Sequence, residues 1–271
     1  MTNQFMLLIA AGLYVTAAVL LYLSIRKQHG QWRRISLGAA VMGAALHGFS
    51  QYAHWFQTGS PNFDMLSILS LCGLVIVVLL LLSAFSRNSL FDAGLVALPI
   101  GAVVLLANAF LNSPGLLIDQ ASTGTTVHIM SSVVAFGVLS IAAVYAGFVA
   151  LIDYFLRHHH LNALVRTLPA LDILELLLFQ LITAGFILLT LSLASGLLYV
   201  SDIFAQHLVH KTVLSMLAWL VFGMLVWGRW RYGWRGRIAV RMTLAGTALL
   251  LLSYFGSKFV LEVILGRSWN S

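Results

Sequence analysis

The chain has 271 residues, 61% of them hydrophobic and only 8% charged, and its mean hydropathy is +0.97. A water-soluble domain of this size cannot expose so apolar a surface, so soluble enzymes and soluble binding modules are excluded and a polytopic membrane protein is expected. Fifteen Lys and Arg against eight Asp and Glu give a formal charge of +7, which in such a chain signals topology, not nucleic-acid binding.

Nearly every residue falls in an apolar run or a short connection, so a single transmembrane domain over residues 1–271 is the economical reading. The expected fold class is all-α: a polytopic integral membrane helix bundle of about eight transmembrane helices. The opening, MTNQFMLLIAAGLYVTAAVLLYLSIRK, has no positive charge ahead of its apolar stretch and places Arg26 and Lys27 after it. That is the reverse of a secretory signal peptide, so the stretch near 5–24 reads as a retained first span. The second span, near 35–56, carries His47, Gln51 and His54. His47 stands about two turns before His54, so both point the same way, roughly 10 Å apart along the axis. About twelve residues into its helix, His47 lies too deep for water, and a buried partner or ligand is expected.

The third span, near 65–85, contains the lone Cys72, a small hydrophobe there with no disulfide partner in the chain. Neither thiol exchange nor CxxCH haem attachment is available. The fourth, near 93–110, contains Pro99 and ends before NSPG; it is the shortest. The fifth, near 127–152, starts with His128. The connection after it, RHHHLNALVRTLPALD, holds His158 to His160 as solvated residues lacking the spacing of a metal site. Asp153, Asp172 and Glu175 lie near the ends of spans five and six, where Arg157 and Arg166 are candidate partners. Between the sixth span, near 173–199, and the seventh, near 211–228, VSDIFAQHLVHK forms a polar patch with His207, His210 and Lys211. Trp219 follows two turns and a residue past His210, as simple packing or as a flat wall beside a macrocycle. In the eighth span, near 242–265, Lys258 precedes Glu262 by four residues; a mutually neutralising pair and a contact from Lys258 to a haem propionate are the two readings.

The connections alternate in charge. Those after the first, third, fifth and seventh spans hold twelve of the fifteen basic residues, leaving only Lys211, Lys258 and Arg267 for the other side. By the positive-inside rule the basic loops are cytoplasmic and both termini are extracytoplasmic, in a multi-pass protein of the inner (plasma) membrane. Trp32, Trp230 and Trp234 mark inner edges, Trp55 and Trp269 outer ones.

With the helices so oriented, His54, His128, His207 and His210 share one membrane depth on three helices. Histidines on facing helices are how a membrane bundle holds haem, because neutral imidazole ligates iron while apolar walls bury the porphyrin. A zinc site would add thiolates or carboxylates in a tight cluster, which the sequence lacks. The alternative for each outer histidine alone is a wet interface where it bonds water, headgroups or loop carbonyls.

The runs LPALDILELLLFQLITAGFILLTLSLASGLLY (168–199), HKTVLSMLAWLVFGMLVWGRWRYGWRGR (210–237) and YFGSKFVLE (254–262) resemble the membrane core of the cytochrome c assembly superfamily, and AALHGFSQY (44–52) and VHIMSSVVAFGVLSIAAVYAGF (127–148) resemble its earlier histidine-bearing helices. The resemblance spans most of the chain and is closest to the HemX/YpjD-like branch. It implies haem handling, with His128 matching the outer-face histidine, His47 the intramembrane one, and His210 the histidine that starts the helix leading to Trp219. Haem-delivering members carry a tryptophan-rich loop of the type WGxxWxWD; here the corresponding connection, VSDIFAQHLVH, has no tryptophan. The late intramembrane histidine of larger members is also replaced, with Trp227 at the nearest position.

The leading expectation is therefore a non-catalytic haem-binding or haem-trafficking membrane protein. His128 and His210 would be axial ligands to the iron of a b-type, non-covalent haem, with His47, His54, His207, Trp219 and Lys258 around it. A b-type electron carrier and a cofactor-free accessory or regulatory subunit are the alternatives. The partners implied are haem, the lipid bilayer and, for the regulatory reading, another membrane or cytosolic protein.

Overall fold

The computed structural model describes residues 2–27, 29–58, 65–86, 88–111, 123–158, 170–199 and 209–256. Among them are eight α-helices: α1 (Thr2–Lys27), α2 (Gly30–Thr58), α3 (Met65–Ser86), α4 (Gly94–Phe110), α5 (Thr123–Arg157), α6 (Leu171–Tyr199), α7 (Val209–Tyr232) and α8 (Arg237–Leu251). A 3₁₀ segment, Asn88–Ala93, leads into α4, and a π turn, Leu252–Gly256, continues α8. The chain is an all-α polytopic membrane bundle, with seven helices long and apolar enough to cross a membrane. The remaining helix, α2, spans about 43 Å at about 1.5 Å per residue, but Arg33, Arg34, His47 and Gln51 make it more polar.

Some helices run beyond the apolar windows because, in lipid, a backbone N–H or C=O has no water to bond, so a helix continues until it reaches the polar interface. Thus α2 starts five residues ahead of the apolar window, at Gly30, and α5 runs on to Arg157. The expected eighth span is seen as far as Gly256; its remainder lies outside the described residues.

Contacts group the chain into two compact units, residues 1–120 with 151–173, and residues 121–150 with 174–271. In the first, α1 packs through Ala10, Ala11, Tyr14, Ala17 and Leu21, all buried. The Tyr14 ring fits between Gly43 of α2 and Gly101 of α4; a Cβ at 43 would stand 2.8 Å from the ring. Small residues at such crossings let membrane helices approach where no hydrophobic force drives them together. The Ser36 hydroxyl donates to the Ala17 carbonyl at 2.7 Å, and Arg33 of α2 pairs with Asp92 of the 3₁₀ segment at 2.8 Å.

In the second unit α5 and α6 run antiparallel, with Leu139 seated in the notch left by Gly185. Phe222 of α7 sits against Gly246 of α8. The α7–α8 turn places Gly233 and Gly236 at φ 67° and 60°, a left-handed region that a residue with a side chain enters at a cost. The Gly236 N–H donates to the Glu175 carboxylate at 2.9 Å, which ties the start of α8 to α6.

Candidate functional site

In the second unit the site is built around His128, near the start of α5. Its ring lies against α6, where Ser192, Ser195 and Gly196 occupy one helix face at i, i+3 and i+4. His128 Nδ1 is 2.9 Å from the Ser192 carbonyl oxygen and 3.3 Å from Ser195 Oγ. A carbonyl only accepts, so Nδ1 must carry the proton. The lone pair is then on Nε2. A hydrogen bond from the other ring nitrogen is how a metal-ligating histidine is held in tautomer and orientation.

The supporting bonds are mutually satisfied. Ser132 Oγ donates to the His128 carbonyl at 2.7 Å and Ser131 Oγ at 3.0 Å. Ser132 Oγ also lies 2.5 Å from Ser192 Oγ; with its own hydrogen committed, it accepts there. Ser195 Oγ donates to the Ser192 carbonyl at 2.8 Å. Gly196 makes room for the ring, since a Cβ there would stand 2.9 Å from His128 Cε1 and 3.1 Å from Nδ1.

On α7, Trp219 donates its indole N–H to Thr190 Oγ1 at 2.8 Å and stacks on Phe186, centroids 5.6 Å apart. It therefore packs against α6, the helix whose Ser192 and Ser195 meet the His128 ring. His210 lies in the first turn of α7, and only its backbone is described. Next to it, the Lys211 carbonyl accepts from Ser253 of the π turn at 2.8 Å. Tyr254 and Phe255 of that turn pack on Phe136 of α5, centroids 5.3 and 6.0 Å away.

The expected buried partner of His47 is found in the first unit. The Tyr14 hydroxyl lies 3.2 Å from its Nδ1 and Ser70 Oγ 2.8 Å from its Nε2. His47 is 1% exposed, so each ring nitrogen meets a hydroxyl that can donate or accept as the tautomer requires. Gln51, one turn on, is buried on the same face as expected, and its Nε2 has no hydrogen-bond partner among the described residues. Ser50 donates to Asn3 Oδ1.

Asp153 pairs with Arg157 as anticipated, at 2.9 Å. Glu175 finds the Gly236 amide; Arg166 lies outside the described residues. The side chains of His54 and His210, and all of His207, Lys258 and Glu262, also lie outside them. Among the described residues no three His, Cys, Asp or Glu side chains form a metal-holding group. Ser192, Ser195 and Gly196 escaped the reading of the sequence, although the string SLASG carries their helical spacing; so did Tyr14 and Ser70, which meet His47 from other helices.

A family model described as "Cytochrome C assembly protein" matches residues 6–265. The chain is 34% identical over 263 residues to "Inner membrane protein YpjD" of Escherichia coli strain K12, covering 95% of this chain and 98% of that protein. It is 26% identical over 171 residues to "Protein HemX" of Brevibacillus brevis, 60% of this chain and 62% of that one. With "Cytochrome c biogenesis protein CcsA" of Prochlorococcus marinus strain MIT 9303 the identity is 29% over 85 residues, 31% of this chain and 27% of that one. No solved structure matches the chain. Seven apolar helices together with the likeness to an inner membrane protein make this a multi-pass protein of the inner membrane.

Proposed function

The chain belongs to the cytochrome c assembly protein family, and on that premise we propose that it is a non-catalytic haem-binding, haem-trafficking protein of the inner membrane. The observation that carries the reading is the His128 imidazole, anchored through Nδ1 to a backbone carbonyl and so presenting Nε2 as a ligand. His210 is the proposed second axial ligand, from its place at the start of the helix that leads to Trp219.

When bound, a b-type haem would supply an iron that takes imidazole nitrogen as ligand, and His128 and His210 would hold it. The protein's part is orientation and exclusion of water. Ser192 and Ser195 hold the His128 ring, Ser131 and Ser132 fix its backbone, and Gly196 sets how closely α6 approaches it. Trp219 of α7, held flat against α6 by Thr190 and Phe186, is the proposed aromatic wall. His54, His207 and Lys258 are assigned to the surroundings of the same group from their sequence positions. His47, engaged at both nitrogens, serves a deeper position only after leaving Tyr14 or Ser70.

On the orientation expected from the basic connections, the His128 site faces the extracytoplasmic side. The sequence between α6 and α7 holds no tryptophan, so the chain carries haem without the aromatic surface that would present it to an apocytochrome.

The test is the absorption spectrum of gently solubilised protein from haem-replete cells. A Soret band that is lost in His128→Ala and in His210→Ala, but kept in His158→Ala, supports the assignment. His158 is a suitable control because it is exposed and bonded to the Tyr154 carbonyl of its own helix. Transfer of the haem to an acceptor protein supports trafficking over permanent electron carriage. Colourless protein that resists haem titration refutes the proposal.

A further inference from the structure

The turn between α7 and α8 concentrates charge in a way that the haem reading does not use. Residues 229–241 contain five arginines and no acid. Arg229 is a structural member: its Nη1 donates to the Trp234 carbonyl at 3.3 Å and its guanidinium lies 4.5 Å over the Phe179 ring. The other four, Arg231, Arg235, Arg237 and Arg241, are exposed and form no ion pair among the described residues. Glu175 is the acid behind the turn, but it is buried and faces the Gly236 amide. Asp172, one turn earlier on α6, is exposed and forms no ion pair with them among the described residues.

Aromatic side chains stand among these charges. Trp230 is 82% exposed, Tyr232 61% and Trp227 53%; Trp227 meets Tyr232 edge-on at 5.5 Å, and Tyr232 stacks on Trp234. On the same two helices Leu220, Met224 and Leu244 are also exposed. In a membrane helix such exposed apolar residues face acyl chains, and tryptophan and tyrosine mark the headgroup level. A row of guanidiniums without ion pairs among the described residues, one of them (Arg231) 5.8 Å over the Tyr232 ring, at that level and continuous with a lipid-facing surface, fits a phosphate attached to a lipid tail.

We propose that the α7–α8 turn is a headgroup site for an anionic phospholipid, with Arg231, Arg235, Arg237 and Arg241 binding phosphate and Trp227 and Trp230 flanking the glycerol and upper acyl region. A phosphate accepts one or two guanidinium forks, so four arginines favour a lipid with two phosphates over one with a single phosphate. The Arg229–Trp234 bond and the two left-handed glycines shape the short turn that joins the arginine-bearing ends of α7 and α8.

Lipid retention by the purified full-length protein tests this by native mass spectrometry, with cardiolipin, phosphatidylglycerol and phosphatidylcholine offered in turn. The expected order is cardiolipin above phosphatidylglycerol above phosphatidylcholine, weakening as salt rises. In the Arg235→Gln/Arg237→Gln/Arg241→Gln variant, cardiolipin affinity falls by about 100-fold, at about fivefold per arginine. The corresponding Lys variant keeps the charge and loses the forks, and falls between the two. Equal retention of cardiolipin and phosphatidylcholine by the unmodified protein overturns the proposal without any variant. So does a Gln variant, shown folded by its thermal transition, that retains cardiolipin as before. Displacement of cardiolipin by millimolar inorganic phosphate would assign the turn to a soluble anion, and lipid-indifferent binding to a protein; either also overturns it.

Discussion

Substituting Gly196 by alanine tests whether the His128 ring is held where ligation needs it. The added Cβ would stand 2.9 Å from Cε1, 3.1 Å from Nδ1 and 3.6 Å from Nε2. Ordinary carbon contacts begin near about 3.5 Å, so the ring must recede by about 0.6 Å, the difference between that limit and the closest approach. If that shift stretches Nδ1 away from the Ser192 carbonyl, a bond of 2.9 Å reaches about 3.5 Å, where it ceases to be a hydrogen bond. The ring moves by side-chain rotation at the tip of a half-buried residue, so the cost in stability stays near the low end of overpacking, about 1 kcal/mol. Loss of the orienting bond should act more strongly on the metal, by about 10–100-fold in affinity. Haem titration followed at the Soret maximum, beside thermal unfolding in the same detergent, separates the two effects. An alanine variant with near-native unfolding and haem affinity within twofold of the unmodified protein would refute the claim that the Ser192 carbonyl orients the ligand.

Three further outcomes follow from the hydrogen bonds and charges. Tyr14→Phe keeps the ring between Gly43 and Gly101 but leaves His47 Nδ1 without its partner, and Ser70→Ala does the same at Nε2. Each should cost about 1–3 kcal/mol in denaturant unfolding, and the double variant should depart from the sum because both act on one ring. Asp92→Asn removes one partner of the Arg33 pair, whose side chains are 20% and 12% exposed. A loss of about 2 kcal/mol is expected, below the about 3–5 kcal/mol of a fully buried pair, with part of it recovered in Arg33→Gln/Asp92→Asn; equal melting of both variants and the unmodified protein would contradict it. Glu175→Gln retains an oxygen for the Gly236 N–H and should unfold close to the unmodified protein, whereas Glu175→Leu leaves that amide unmet. A difference of about 1–3 kcal/mol between these two variants, read by calorimetry, is the expected result.

Hydropathy and length were enough to determine the membrane class and the approximate centres of the helices among the described residues, seven of them apolar enough to cross, because a span must cover about 30 Å of hydrocarbon with apolar side chains. Local spacing was enough for the Asp153–Arg157 pair, four residues apart on one helix face. The depth of His47 required some buried partner, since an imidazole in hydrocarbon must bond to something. Which partner it meets was decided only by tertiary packing: Tyr14 lies 33 residues away and Ser70 lies 23 away, each on another helix. The same holds for His128 and Ser192, 64 residues apart, for Arg33 and Asp92, 59 apart, and for Glu175 and Gly236, 61 apart. Helices that are apolar nearly all round carry no strong stripe to say which face turns inward, so the rotation of each is set by where small residues such as Gly43, Gly185 and Gly196 let a neighbour approach. That rotation, and not the run of apolar residues, puts a backbone carbonyl behind one histidine and two hydroxyls around the other.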